Sequence, residues 1–282
     1  MKPLLKTLAL LALTPAILHA DENRGADGKG SQNLKVVGLT SDQRLVCFFE
    51  KSPEHAFKLG TVSGLIGGDT ALVGIDYRVQ DGQLYGVGNA GGVYMLNTDT
   101  AVATLVNRLT VALTGTSFGV DFNPAADRLR IIGDDGQNLR HNVNAGGVTI
   151  ADGALNYTAG TPAVGVTGAA YTNNDLDPLT ATTLYDIDST LDQVVLQSPP
   201  NNGSLAPTGK LTVDTTSSVG FDIFSTLRNG VTVKIQALAS LTSADGFISL
   251  YSISLPTGKA TLRGTFKNWD KVVDIAIPLD QR

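Results

Sequence analysis

The sequence predicts an all-β fold, a β-propeller of five four-stranded blades. Three observations carry it: a recurring strand motif, short β-rich runs cut by turn residues, and two chain ends that are each incomplete alone. The motif is an apolar strand of Gly-x-Asp type, seen at Val73-Gly74-Ile75-Asp76-Tyr77, Phe118-Gly119-Val120-Asp121-Phe122 and Val219-Gly220-Phe221-Asp222-Ile223. Thr167-Gly168-Ala169-Ala170-Tyr171 and Val272-Val273-Asp274-Ile275 are its weaker copies. Taking Asp76, Asp121, Ala170, Asp222 and Asp274 as equivalent gives intervals of 45, 49, 52 and 52 residues. That is the length of one blade with generous loops, and a unit that cannot bury its own faces must stack against copies of itself.

Each opening strand is followed by a second run: Gln83–Val87, Arg128–Ile132, Thr183–Ile187 and Val231–Ile235. Third runs follow at Val93–Leu96, Val194–Leu196 and Ser249–Ile253, and fourth runs at Ala103–Val106 and Ala260–Arg263. β-branched and aromatic residues between Asp-Gly, Gly-Gly and Thr-Gly steps read as antiparallel strands, and no amphipathic helix is expected. The first unit supplies only Lys35–Leu39, Arg44–Phe48 and Ala56–Leu59, while Val272–Ile277 is an opening strand with nothing after it. Placing the C-terminal strand in the N-terminal sheet completes that blade and closes the ring without an unpaired edge. Six blades is the alternative count, should residues 223–253 hide an extra sheet.

Lys2 and Lys6 precede an apolar run from Leu8 to Leu18, and Leu18-His19-Ala20 offers a small-residue cleavage site before Asp21-Glu22-Asn23. Residues 1–20 read as a signal peptide and 21–33 as a flexible lead-in, leaving 34–282 as a single propeller domain. An exported, periplasmic or secreted protein is expected, and no run is apolar for long enough to span a bilayer. Charged residues are 17% and hydrophobic ones 42%, which suits a filled core rather than disorder. Beyond the leader, 19 basic side chains face 26 acidic ones, so neither nucleic acid nor an anionic membrane is an expected partner. A monomer is expected. The single Cys47, in a predicted strand, cannot form an internal disulfide, and a buried structural thiol is its simplest reading.

Several longer stretches carry a resemblance. They are Gly74-Ile75-Asp76-Tyr77-Arg78 with Gly82-Gln83-Leu84-Tyr85, and Gly115-Thr116-Ser117-Phe118-Gly119-Val120-Asp121-Phe122-Asn123-Pro124 leading to Asp127-Arg128-Leu129-Arg130. Gln137-Asn138-Leu139-Arg140, Ala170-Tyr171-Thr172-Asn173-Asn174, Thr183-Leu184-Tyr185-Asp186-Ile187-Asp188 and Pro199-Pro200-Asn201-Asn202-Gly203 complete the set. Together they resemble an exported bacterial family, domain of unknown function 4394, over nearly all of the chain beyond the leader. The resemblance implies a propeller-like all-β domain, usually secreted, with no established activity and no catalytic residues to carry over. Cys47–Lys51 and Leu227–Thr242 depart from that family's pattern.

Four residue sets could carry chemistry. Asp76, Asp121, Asp222 and Asp274, on innermost strands, would form an incomplete ring around the central channel. Such a ring could hold Ca²⁺, or each carboxylate could accept N–H or Arg hydrogen bonds from the neighbouring blade. Arg128 and Arg130 share one strand face, with Asn138, Arg140, Asp127, Asp134 and Asp135 nearby in sequence. Guanidinium forks there suit the carboxylate or sulfate of a ligand, acidic glycans included, or internal carboxylates. Tyr171-Thr172-Asn173-Asn174-Asp175 and Ser198-Pro199-Pro200-Asn201-Asn202-Gly203 are polar loops of the fourth unit, equipped for hydroxyl-rich ligands and also ordinary turn formers. The last set, His55 and His141, lies in different units without zinc-site spacing.

No Gly-x-x-x-x-Gly-Lys-Ser/Thr phosphate loop or His-Glu-x-x-His occurs. The function expected is therefore a non-enzymatic extracytoplasmic module binding a protein or glycan, through Arg128, Arg130, Asn138, Arg140, Tyr171, Asn173 and Asn174. The alternative is a metal-assisted hydrolase or lactonase at the channel mouth using the four aspartates. No cofactor is expected under the first reading, and Ca²⁺ in the channel under the second.

Overall fold

The computed structural model describes residues 33–281. The expected leader, and all of the lead-in except Asn33, lie outside the described residues. Asn33 itself accepts a hydrogen bond from the Lys51 amide at 3.1 Å.

Blade 1 contains β1 (Lys35–Thr40), β2 (Arg44–Phe49) and β3 (Ser52–Thr61); blade 2 contains β4 (Leu72–Tyr77), β5 (Leu84–Gly88), β6 (Gly92–Leu96) and β7 (Ala103–Arg108). Blade 3 is β8 (Phe118–Asn123), β9 (Arg128–Gly133), β10 (Asn138–His141) and β11 (Thr149–Ala151), followed by a small hairpin, β12 (Asn156–Thr158) and β13 (Thr161–Pro162). Blade 4 is β14 (Val166–Tyr171), β15 (Leu184–Asp188), β16 (Gln193–Gln197) and β17 (Leu205–Lys210). Blade 5 is β18 (Val219–Arg228), β19 (Val231–Thr242), β20 (Ile248–Ile253) and β21 (Ala260–Thr265). The last strand, β22 (Val272–Ala276), pairs with β1, so the order β22-β1-β2-β3 completes blade 1 and closes a five-bladed ring. The question over residues 223–253 resolves as one long hairpin: β18 and β19 pair from Val219↔Leu241 out to Arg228↔Val231, and those residues all belong to the blade 5 sheet and its turns.

Five apolar clusters fill the five junctions between adjacent blades. Phe48, Phe266, Leu238 and Ile275 seal blade 5 against blade 1, with the Phe48 and Phe266 rings edge-on at 4.9 Å. Leu39, Ile75, Tyr94 and Ala276 lie between blades 1 and 2. Tyr85, Phe122, Leu129 and Ile131 lie between blades 2 and 3. Phe221, Ile223 and Ile187 lie between blades 4 and 5, joined by Ala170. The junction between blades 3 and 4, around Ile132, Leu155, Tyr171, Leu184 and Val195, also takes in the buried Arg130–Asp152 ion pair. Cys47 is buried, as a structural thiol should be.

The innermost strands crowd at the axis, which explains the recurring glycine. A Cβ on Gly119 would stand 2.7 Å from the Ala169 nitrogen, and one on Gly220 would stand 2.6 Å from the Asp274 Cα. These contacts also correct one equivalence. Asp274 occupies the glycine position of its strand rather than the aspartate position. The pairing Leu39↔Asp274, Gly38↔Ile275, Val37↔Ala276 repeats Val87↔Gly74, Gly86↔Ile75, Tyr85↔Asp76, so Ala276 stands where Asp76 stands. The bulge that skips Val73 in β4 is matched by one that skips Val273 in β22.

Ring closure is therefore sensitive to bulk at Gly220. Gly220→Ala pushes into backbone of the closing strand and should cost about 1–3 kcal/mol, read as a lowered urea midpoint. An unchanged midpoint would mean that β22 is not held against β18 this tightly.

Candidate functional site

The axial carboxylates are built by strand alternation: each projects from an innermost strand toward the next blade. Asp76 accepts the Phe122 N–H at 2.7 Å, and Asp121 accepts the Tyr171 N–H at 3.0 Å. Asp222 accepts the Ile277 N–H at 2.5 Å, and Asp274 accepts the Ile75 N–H at 2.7 Å. Four of the five junctions are thus sewn by a carboxylate on a main-chain amide. The exception is blade 4 to blade 5, where Ala170 packs in the apolar cluster and the Ile223 N–H turns to Asp222 of its own strand.

Asp76, Asp121 and Asp222 each offer an oxygen within 4.8 Å of the others, and all three are buried. Burial, with like charge from its neighbours, pushes Asp76 and Asp121 well above the usual carboxylate range, against the pull of the amides. Burial lifts Asp222 to about 6 and raises Asp274 well above its ordinary value. The adjacent channel mouth is a cavity of about 270 Å³ lined by hydroxyl and apolar groups, among them Ser41, Ser117, Phe118, Ser218 and Val273. Its lining includes no carboxylate.

A second site lies in the cleft between blades 3 and 4. Asp121, Arg130 and Arg140 stand side by side across β8, β9 and β10, and Asn123 pairs with Arg128 on the same face. Arg130, 3% exposed, is fully engaged with its surroundings. Its Nη1 donates to Asn138 Oδ1 at 2.7 Å and Asp152 Oδ2 at 2.8 Å, its Nη2 to Asn201 Oδ1 at 2.9 Å and its Nε to the Tyr171 hydroxyl at 3.3 Å. Arg140 donates Nε to the other oxygen of Asp152 at 2.9 Å. Among the described residues Arg128 donates only to the main-chain carbonyls of Ala126 and Asp127. Asp127 itself accepts from Arg78 of blade 2, which holds its carboxyl below the usual range.

The three guanidiniums, with Tyr171, Asn123 and Asn201, enclose a recess of about 90 Å³. Across the loop Asn201–Ser204 lies a wider opening of about 450 Å³, lined by Asn156, Thr161, Asn202, Ser204 and the glycines of the β12–β13 hairpin. The loop is fixed from both sides: Asn138 Nδ2 donates to the Pro200 and Gly153 carbonyls, and Gly153 N–H donates to the Asn201 carbonyl. Asp186 lies deeper in blade 4, wholly buried, with neither oxygen hydrogen-bonded. Burial drives its carboxyl toward the protonated form, partly opposed by the charge of Arg130.

Of the residues read from sequence as ligand contacts, Arg128, Arg130, Arg140 and Tyr171 meet at the recess, and Asn138 stands behind them. Asn173 and Asn174 do not. Asn173 donates to the Ala181 carbonyl within its own loop, and Asn174 bonds Ile223 and Ser225 of blade 5. Asp152 and Asn123 complete the site without having been singled out as ligand contacts, and Asn201 comes from the second polar loop of the fourth unit. Asp152 follows the short strand β11, and its amide bond to the Asn138 carbonyl at 2.9 Å is what brings it under Arg130. His141 is buried, bonded to Thr149 and Asn107, and depressed by burial to about 4; His55 is exposed.

The chain belongs to the family described as domain of unknown function (DUF4394), whose sequence profile matches residues 44–276. No curated protein sequence matches the chain. Among solved structures it is similar to an auxiliary nutrient binding protein from Bacteroides ovatus, with 13% identity and TM-score 0.39 over 61% of this chain and 46% of that one. A Bacteroides thetaiotaomicron auxiliary nutrient binding protein gives 13% identity and TM-score 0.42 over 77% and 53%. A protein of unknown function from the same species gives 13% and 0.44 over 93% and 70%. The chain spans about half the length of the two nutrient binding proteins. Among the described residues no helix is long and apolar enough to cross a membrane.

Proposed function

We propose that this protein is a non-enzymatic binding module, exported from the cytoplasm, whose ligand is a glycan seated in the cleft between blades 3 and 4. One observation carries the reading. Amide, hydroxyl and guanidinium groups from two blades converge on two openings on either side of a single clamped loop. The wider opening is of ordinary ligand size, and its polar groups sit on strands and braced turns, so little ordering is lost on binding. Neither opening is lined by a histidine, cysteine or carboxylate to activate water or a hydroxyl, which favours binding over turnover. The lysines and apolar run before Ala20 support export.

The test is saturation-transfer NMR with a panel of neutral and acidic oligosaccharides against the chain from Asn33 onward. Binding is expected for at least one of them and should weaken about tenfold in Asn202→Ala with Thr161→Ala, since each residue offers one or two hydrogen bonds at the rim. No binding across the panel, or binding indifferent to both changes, would overturn the reading.

A second reading has its own support. The three axial oxygens within 4.8 Å fit one hard cation such as Ca²⁺. We propose it as a stabilising ion rather than a catalytic one, because the carboxylates do not line the cavity at the channel mouth. Its check is the chelator arm of the pH experiment argued first in the Discussion.

A further inference from the structure

We infer that the ligand is anchored by an anionic group, the carboxylate of a uronic acid or the sulfate ester of an acidic glycan, held between Arg128 and Arg140. The inference rests on the reading of the cleft as a glycan seat and names the chemistry that would occupy its inner recess.

Charge in the recess is unbalanced. Three guanidiniums meet there; the carboxylate ion-paired with them is Asp152, shared between Arg130 and Arg140, while the Asp127 carboxylate feels the charge of Arg128 without bonding to it. Arg130 is committed to four partners and acts as scaffold. Arg140 gives Asp152 its Nε, leaving both terminal nitrogens without a hydrogen bond among the described residues. Arg128 leaves Nε and Nη2 in the same state, and the neighbouring Asp127 is turned to Arg78. A local cationic excess stands out in a chain of formal net charge −5. Guanidinium donors with no acceptor of their own call for a ligand atom that only accepts.

Size narrows the choice. A recess of 90 Å³ holds about three waters' worth of liquid volume, enough for a carboxylate or sulfate and too little for a sugar ring. The ring would then lie outside, with the wider opening beyond the Asn201–Ser204 loop for the rest of the chain. Uronate and sulfate share the acceptor chemistry, and the experiment separates them.

Isothermal titration with sodium glucuronate, inorganic sulfate and glucose is the test, run on wild type, Arg128→Gln and the Arg128→Gln/Arg140→Gln pair. Glucuronate or sulfate should bind at least about tenfold more tightly than glucose and weaken with added salt. The double change should lower that affinity roughly 10–100-fold, the single change less, with melting temperature followed in parallel. A stronger response to glucuronate than to sulfate assigns a uronic acid, and the reverse assigns a sulfate ester. The inference is overturned if glucose matches the anions, or if anion binding survives in a folded double variant. It is also overturned if neutral oligosaccharides bind at Asn202 and Thr161 while no anion does, and then the glycan reading stands alone. Anion binding without any oligosaccharide binding supports the subsite and removes the glycan reading.

Discussion

Replacing Asp222 by Asn should stabilise the protein at about pH 8 and destabilise it at about pH 3. Burial lifts this carboxyl from an ordinary 3.8 to about 6, so folding favours its protonated form. The sign follows from linkage. Its contribution is fully present below about pH 4, where the unfolded chain is also protonated, and is lost as pH rises through about 6. The whole swing amounts to about 3 kcal/mol. Asparagine keeps an acceptor for the Ile277 N–H but cannot also accept from Ile223, a fixed penalty of about 1 kcal/mol at every pH. The variant should therefore gain about 2 kcal/mol over wild type at pH 8, match it near about pH 4.5 and lose about 1 kcal/mol at about pH 3. For a domain of this size that is several degrees in melting temperature in each direction, by about 2–4 °C per kcal/mol.

The difference between variant and wild type is the quantity to follow, because other groups titrate in the same window. His141, depressed to about 4, contributes stability above its ordinary 6.5 that is lost as pH falls toward 4, and this opposes the carboxylates. It is common to both proteins and cancels. A difference that stays flat from about pH 4.5 to 8 would show that Asp222 is ionised throughout that range. The chelator arm then distinguishes why: a cation shared by Asp76, Asp121 and Asp222 would make wild type lose stability with EDTA at pH 8 and regain it with Ca²⁺. EDTA without effect would remove the cation reading.

These axial residues also show what a sequence discloses and what it hides. The blade count was legible because alternation and turn residues repeat along the chain, and because each end lacked what the other supplied. The register of β22 was not. Val272-Val273-Asp274-Ile275 reads as one more copy of the motif, and Asp274 does sew its blade to the next, through Ile75. Only the pairing with β1 reveals that it does so from the glycine position, two residues early, with Ala276 standing at the aspartate position. A functional likeness masked a geometric offset. The cleft divides in the same way. That Arg128 and Arg130 share a face follows from strand alternation, but the side-chain partners of Arg130 include Asp152 and Asn201, 22 and 71 residues onward. Nothing in the local pattern indicates which carboxylate a long side chain will meet. Asn173 and Asn174 illustrate the converse: residues suited to a ligand are used to bind the chain to itself.

Arg130→Met should be the most damaging single change in the cleft, costing about 3–5 kcal/mol, which corresponds to roughly 10 °C in melting temperature. The reason is what it leaves behind. Asp152, with its side chain 4% exposed, would lose one of its two guanidinium partners while remaining buried. Asn201 would lose the donor to its Oδ1 and Asn138 the nearer of two, Gln197 Nε2 remaining at 3.4 Å, and with Asn201 the clamp on the loop between the two openings would loosen. Arg130→Lys should recover less than half of the loss, since a single ammonium cannot reach acceptors spread around a planar fork. Arg128→Gln, by contrast, removes only donations to two exposed-turn carbonyls and should cost less than about 1 kcal/mol. Chemical denaturation of the three variants separates the roles. If Arg130→Met melts with wild type, the guanidinium is not the strut between blades 3 and 4. If Arg128→Gln unfolds as readily as Arg130→Met, Arg128 belongs to the scaffold, and the recess has one cation fewer to offer a ligand.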